Sequence, residues 1–222
     1  MRSVVLAVGV VLTLAACASA KPSPETPAYH HRFEHADQWA REFDDPSRDA
    51  WQHPEQVIAA MQIGPGMTVA DIGAGTGYFE PHLSRAVGAG GKVLALDVEP
   101  EMVTHLRDRA VREHLDNVEA RQVAPEDPAL GGPSVDRVLI VDTWHHVANR
   151  SAYASRLAAA LKPGGEVVVV DFRREAHRGP PPEHRVAPDE VVQTLTAAGL
   201  SARIIDAGLP EQYVVVGSLP GR

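Results

Sequence analysis

The sequence predicts one α/β domain: a mostly parallel seven-stranded sheet with helices on both faces, ending in an antiparallel hairpin. Three observations predict it. From residue 67 onward, short β-rich runs alternate with helical patterns, as strands and crossover helices of a parallel sheet do. The last two apolar runs, 201–206 and 211–217, are separated only by Ala207-Gly208-Leu209-Pro210, too short for a parallel crossover. The first apolar run leads straight into a glycine-rich turn, VADIGAGTGYF at 69–79.

Taken in order, the strands are expected at 67–72, 92–98, 118–123, 135–141, 165–171, 201–206 and 211–217. Helices are expected at 78–87, 100–114, 149–161 and 188–199. Pro100 suits a first helical turn, and Glu99 and Glu101 complement the positive end of the helix dipole. Asn149 is a capping residue, and Lys162-Pro163-Gly164-Gly165 ends the helix it starts. A polar, proline-rich loop fills 173–187. Residues 29–62, rich in aromatics and charges, read as a helical cap ahead of a main domain at 63–222.

The N-terminus has a different character. Residues 1–16 carry Arg2 and an apolar run from Val4 to Leu14, within signal-peptide length and too short to span a bilayer. The stretch Leu14-Ala15-Ala16-Cys17 resembles a bacterial lipobox, which implies cleavage before Cys17 and lipid on that residue. Residues 17–28 then form a proline-containing tether. Cys17 is the chain's single cysteine, so internal disulfides, cysteine metal sites and a cysteine nucleophile in the main domain are excluded. The formal charge of −8 argues against a sequence-independent grip on nucleic acid, which needs a basic surface.

The chemistry-bearing pattern starts at 69–79. Gly73, Gly75 and Gly77 follow Asp71 in the order G-x-G-x-G, and glycines let a backbone turn tightly and approach a ligand. Dinucleotide sites have G-x-G-x-x-G instead, which disfavours a nicotinamide-dependent oxidoreductase. Asp97 lies twenty residues beyond Gly77, at the end of the second strand, where a carboxylate can accept both ribose hydroxyls.

With VADIGAGTGYF, the stretches LALDVEPEMV and LKPGGEVVVVDF, in this order, resemble class I S-adenosylmethionine-dependent methyltransferases of the ubiquinone and small-molecule type. The resemblance covers 51–172 and implies a Rossmann-like fold and S-adenosylmethionine as cofactor. It implies that Asp71 and the loop Gly73, Ala74, Gly75, Gly77, with Tyr78, hold the cofactor's amino-acid part. Asp97 would bind the ribose and Val98 would lie against the adenine, with Asp142 also on the cofactor side. Where many relatives have an Asp-Ala pair after the third strand, this chain has Val123-Ala124-Pro125-Glu126-Asp127. Glu126 or Asp127 is then the candidate to replace the missing carboxylate, since Ala124 has none and Pro125 has no N–H; Asp127 precedes a proline and also suits a turn start, which favours Glu126.

Methyl transfer depends chiefly on alignment, and a base helps when the acceptor is a hydroxyl or an acidic carbon. His145 and His146 follow the fourth strand at the sheet edge where ligands bind, so they are the candidates for base or substrate-orienting residue. No histidine falls in a recognised metal-ligand pattern, so no metal is expected. The reading is a small-molecule methyltransferase, anchored to the bacterial cell envelope and needing no obligate protein partner. It would be cytoplasmic if the true start lies downstream. Because S-adenosylmethionine is made in the cytosol, the alternative is a non-catalytic, lipid-anchored binding protein on the same fold.

Overall fold

The computed structural model describes residues 25–220; the signal and lipidation readings on residues 1–17 lie outside them. After an extended arm come α1 (Ala36–Phe43), α2 (Asp49–Gln52) and α3 (Pro54–Met61), with a single 3-10 turn at Pro46–Arg48 before α2. The sheet region follows as β1 (Thr68–Ile72), α4 (Glu80–Val87), β2 (Lys92–Asp97), α5 (Pro100–Arg112), β3 (Val118–Gln122) and β4 (Val135–Val141). It finishes with α6 (Arg150–Ala160), β5 (Leu161–Phe172), α7 (Pro188–Ala197), β6 (Ser201–Ile205) and β7 (Gln212–Ser218). The seven strands lie in the order β3-β2-β1-β4-β5-β7-β6. The first five are parallel, while β7 runs antiparallel to both β5 and β6.

The expected elements are all present, with boundaries moved by a few residues. Asn149 caps α6 by accepting the Ala152 N–H at 3.1 Å, and Pro100 and Pro188 stand in the first turns of α5 and α7. Helix α6 stops at Ala160. Leu161 already pairs with Val135, and the register shifts before Arg137 pairs with Glu166. Strand alternation sends Val138 and Ile140 to the α6–α7 side, and Leu139 and Val141 to the α3–α4 side. Val57 and Met61 of α3 are fully buried in that second layer. Burial of each such aliphatic side chain contributes roughly 1.5–3 kcal/mol. Arg137 ties α3 to the sheet by donating from Nε to the Met61 carbonyl at 2.7 Å, at the helix end that favours a cation.

Strand β7 is buried from Gln212 to Gly217, whereas β6 is mostly exposed. An apolar run such as YVVVG is stable only with a neighbour on each side, so β7 takes the inner position and β6 the edge. The C-terminal ends of β1, β2, β4 and β5 then converge at the point where the strand order reverses, the place where open α/β sheets bind ligands.

Candidate active site

A cavity of about 1090 Å³ opens at that edge. Its floor is the turn after β1. The Gly73 and Ala74 N–H groups donate to the Leu96 carbonyl at 2.8 and 3.0 Å, which folds the turn over the end of β2. Gly73 has φ 71°, and a Cβ there would sit 2.4 Å from Thr143 Oγ1; at Gly77, φ 89°, it would sit 2.9 Å from Leu106. Larger residues are therefore excluded by both backbone strain and contact. Asp97 accepts the Gly75 N–H on Oδ2 at 2.8 Å and the Glu99 N–H on Oδ1 at 2.9 Å. Each oxygen keeps lone-pair capacity for a further donor from the cavity.

Beneath the turn lie two carboxyls, Asp71 and Glu80, 3% and 1% exposed. Neither Glu80 oxygen meets a donor from the described residues, and the two groups interact with each other. Burial pushes Asp71 up to about 7, and burial together with the Asp71 charge holds Glu80 well above its usual range. Burial thus biases both carboxyls toward the protonated form. Arg48 and Arg109 are the nearby cations, and Asp97 adds a further negative charge. A carboxyl with a raised folded pKa stabilises fully below its unfolded value and loses that stability as pH rises through the folded value. Glu80→Gln is thus expected to melt above the parent protein at about pH 8 and to lose that advantage near pH 5. Thermal unfolding at the two pH values checks this; a variant less stable at both would show that Glu80 is not held protonated at a cost.

The inner end of the cavity lies over β4 and β5. Asp142, at φ 51°, accepts Gln212 Nε2 at 2.5 Å, Gln212 Oε1 accepts Gln52 Nε2 at 2.7 Å, and Gln52 Oε1 accepts Arg48 Nη2 at 3.0 Å. This buried amide chain runs from the cap, through β7, to the end of β4. Burial, reinforced by the Asp171 charge, raises Asp142 to about 7. Beside it, His145 is 3% exposed and sets Nδ1 at 2.8 and 3.0 Å from the two Asp171 oxygens. Burial pulls the His145 pKa down, but the charge and hydrogen bond of Asp171 and the charge of Asp142 outweigh it and leave the imidazole above its ordinary value. His146 is the opposite case. Burial and the neighbouring His145 charge pull it down to about 4, and its Nδ1 lies 2.6 Å from the Tyr29 carbonyl, as a donor when neutral.

The N-terminal arm forms one wall. The Tyr29 N–H donates to the His145 carbonyl at 2.8 Å, and Phe33, Trp39 and Phe43 continue the wall as packed rings. The 173–187 loop forms the opposite rim through Arg178, Gly179 and Pro180.

Most of the residues expected from sequence meet here. Asp71, Gly73, Ala74, Gly75, Tyr78, Asp97, Val98, Asp142, His145 and His146 all line the cavity, with Val98 41% exposed at its rim. Gly77 lies buried behind the turn. Glu126 does not line the main cavity; it is exposed in an adjoining pocket of about 260 Å³ that shares Pro125, His146 and Tyr153 with it, and Val123 and Pro125 face the main cavity. The sequence expectations omit Asp171, Glu80, Gln52, Gln212 and Arg48. Asp171 had a readable signal, a carboxylate ending a buried strand, whereas Glu80 reads from sequence as an ordinary helix-start acid. Among the described residues, no three His, Cys, Asp or Glu side chains gather as metal ligands.

The sequence matches the Methyltransferase domain family over residues 69–165. It is 31% identical over 125 residues to a ubiquinone/menaquinone biosynthesis C-methyltransferase of Shewanella pealeana, covering 54% of this chain and 49% of that protein. The chain thus spans about half the length of the curated relatives it matches. Among solved structures, a putative methyltransferase of Haloferax volcanii in complex with the Trm112 activator shares the fold. The TM-score is 0.69 at 22% identity, over 84% of this chain and 96% of that one. A SAM-dependent methyltransferase from Aquifex aeolicus superposes with a TM-score of 0.78 and 30% identity, over 85% of this chain and 100% of that one. With the glycine turn and Asp97 in place at the switch point of the sheet, and that identity spanning the whole Aquifex chain, this protein belongs to the S-adenosylmethionine-dependent methyltransferases.

Proposed function

We propose that this chain methylates a small molecule bearing a dissociable proton, an O–H or an acidic C–H, and that His145 is the base that removes it. The observation carrying this reading is the His145–Asp171 pair at the inner end of the cavity. With Nδ1–H held by the carboxylate, Nε2 is the lone pair left for a substrate proton, and no hydrogen bond to it is found among the described residues. His146 keeps a neutral ring next to the base and acts in orienting the acceptor. The relatives named as C-methyltransferases support including an acidic carbon among the acceptors.

The residues suit the cofactor. Asp71, Asp97 and Asp142 line the cavity where a cationic ligand would sit, and a Cβ at Gly75, which also lines it, would come no nearer than 4.0 Å to the Gly73 carbonyl and the Phe43 ring. When bound, S-adenosylmethionine supplies an electrophilic methyl group. Asp71 and the turn from Gly73 would hold its amino-acid end beside Tyr78, and Asp97 would accept the ribose hydroxyls. Val98, Val123 and Pro125 would give the adenine an apolar seat. Calorimetric titration of S-adenosylmethionine into the purified chain tests the reading. Binding in the micromolar range is expected, and a folded protein that does not bind would end it.

We further propose that the chain is exported and held at the cell envelope by lipid on Cys17; support for this is the charge and apolar pattern of residues 1–17 alone. Cys17→Ser is expected to shift the protein from the membrane to the soluble fraction, and unchanged fractionation would count against the anchor.

A further inference from the structure

The 173–187 loop is polar and proline-rich, yet it is built around one side chain. The Arg185 guanidinium donates to the carbonyls of Pro180, Arg173, Arg174, Ala176 and Arg178 at 2.7–3.3 Å. Charge-assisted bonds to five carbonyls fix the loop's curvature from within. Next to Arg178, Gly179 packs so tightly on Phe172 that a Cβ there would lie 2.3 Å from the ring. The loop is thereby pinned at its core and at its contact with β5, and the Arg178 side chain is directed over the cavity mouth.

Arg178 lies with its guanidinium carbon 5.2 Å from the centre of the Trp51 ring, which in turn stacks on Phe172 at 6.0 Å and 29°. The other cavity arginines differ. Arg32 pairs with Glu34 and Glu99, and Arg48 is engaged by Gln52 and the Phe43 carbonyl. Arg41 and Arg178 have no ion pair among the described residues, and of these two only Arg178 is seated on an aromatic face. The nearby acid, Glu211, accepts the backbone N–H of His177. A chain of charge −8 thus presents, at one end of the cavity that Phe33, Trp39 and Phe43 also line, an oriented guanidinium with no ion pair among the described residues.

The Arg178–Trp51 end of the cavity lies beside Phe172 of β5, whereas the Phe43 ring reaches the glycine turn, 4.0 Å from where a Cβ at Gly75 would stand. Aromatic side chains along the cavity suit a planar molecule, and a guanidinium held on an aromatic face selects a carboxylate, which it can bind with two parallel hydrogen bonds. We propose that the acceptor is a planar organic acid, an aromatic or conjugated carboxylate carrying the methylated group, and that Arg178 on Trp51 is its anion subsite. This rests on the methyltransferase reading above and adds the acceptor's class to it.

The test uses the full chain saturated with S-adenosylhomocysteine and titrated calorimetrically with a panel of hydroxybenzoate, hydroxynaphthoate and hydroxycinnamate acids, each beside its methyl ester. At least one acid is expected to bind about tenfold or more tightly than its ester, as the loss of charged hydrogen bonds implies. Arg178→Gln is expected to erase that gap by weakening the acid alone, and Arg178→Lys to restore part of it. Arg178 is exposed, so the substitution leaves the core intact. Equal binding of acid and ester, a gap that survives Arg178→Gln, or no binding by any acid would each overturn the proposal. Loss of S-adenosylhomocysteine binding itself would instead strike the underlying methyltransferase reading, so the two failures are distinguishable.

Discussion

Asp97→Ala is expected to weaken S-adenosylmethionine binding by roughly a hundredfold or more. Hydrogen bonds to a charged group contribute about 1.5–3 kcal/mol each, and the Asp97 carboxylate is positioned to accept two ribose hydroxyls. The same oxygens hold the Gly75 and Glu99 N–H groups, so the alanine also loosens the glycine turn. Asp97→Asn separates the effects, since the amide oxygen keeps one backbone partner while the charge is lost. Affinity should fall in the order Asp, Asn, Ala by calorimetry, with thermal melting run alongside to exclude unfolding. Unchanged affinity in a folded Ala variant would remove Asp97 from the cofactor site.

The second large effect is expected at His145. Loss of a positioned base typically lowers turnover about 10²–10⁴-fold, so His145→Gln should lose activity by that order while cofactor affinity is kept. Asp171→Asn should do much the same, because an amide no longer holds the imidazole with Nδ1–H toward it. The pH behaviour discriminates between the two histidines. His145 is held above its ordinary value despite burial, so the acid limb of the rate profile should lie above pH 6.5. Asp171→Asn removes the stabilising charge, and the limb should move to lower pH. His146 is pulled down to about 4 and is uncharged across that range, so His146→Ala should leave the limb in place. Titration of the imidazole signals by NMR reads the same shift without any acceptor; a limb that follows His146 would reverse the assignment.

The legible parts of the fold were those encoded by neighbours in the chain. The alternation of strands and helices, the turn at 73–77 and the short 207–210 connection depend on local periodicity, on φ > 0 at glycines and on chain reach. Asp97 was visible for the same reason, because a strand end fixes where its carboxylate emerges. The reach of residues 207–210 required β6 and β7 to be antiparallel. It did not say which of them lies beside β5; the uninterrupted burial of β7 decides that.

The polar partnerships belong to the tertiary structure. Asp171 meets His145 across 26 residues, Gln212 meets Asp142 across 70, and Gln52 meets Gln212 across 160. Read in sequence, each is one polar residue in a strand, a helix or a loop, and any of them could have been solvated. Arg185 is similar: in sequence it is one of several arginines in a polar loop, and in space it is the post around which that loop winds. The sequence alone therefore determined the fold class and the glycine turn with Asp97 beside it. The His145–Asp171 pair, the burial of Asp71 with Glu80 and the aromatic lining of the cavity were decided by packing, because an unpaired polar group in a closed core is costly and its partner is whichever group the folded sheet brings within reach.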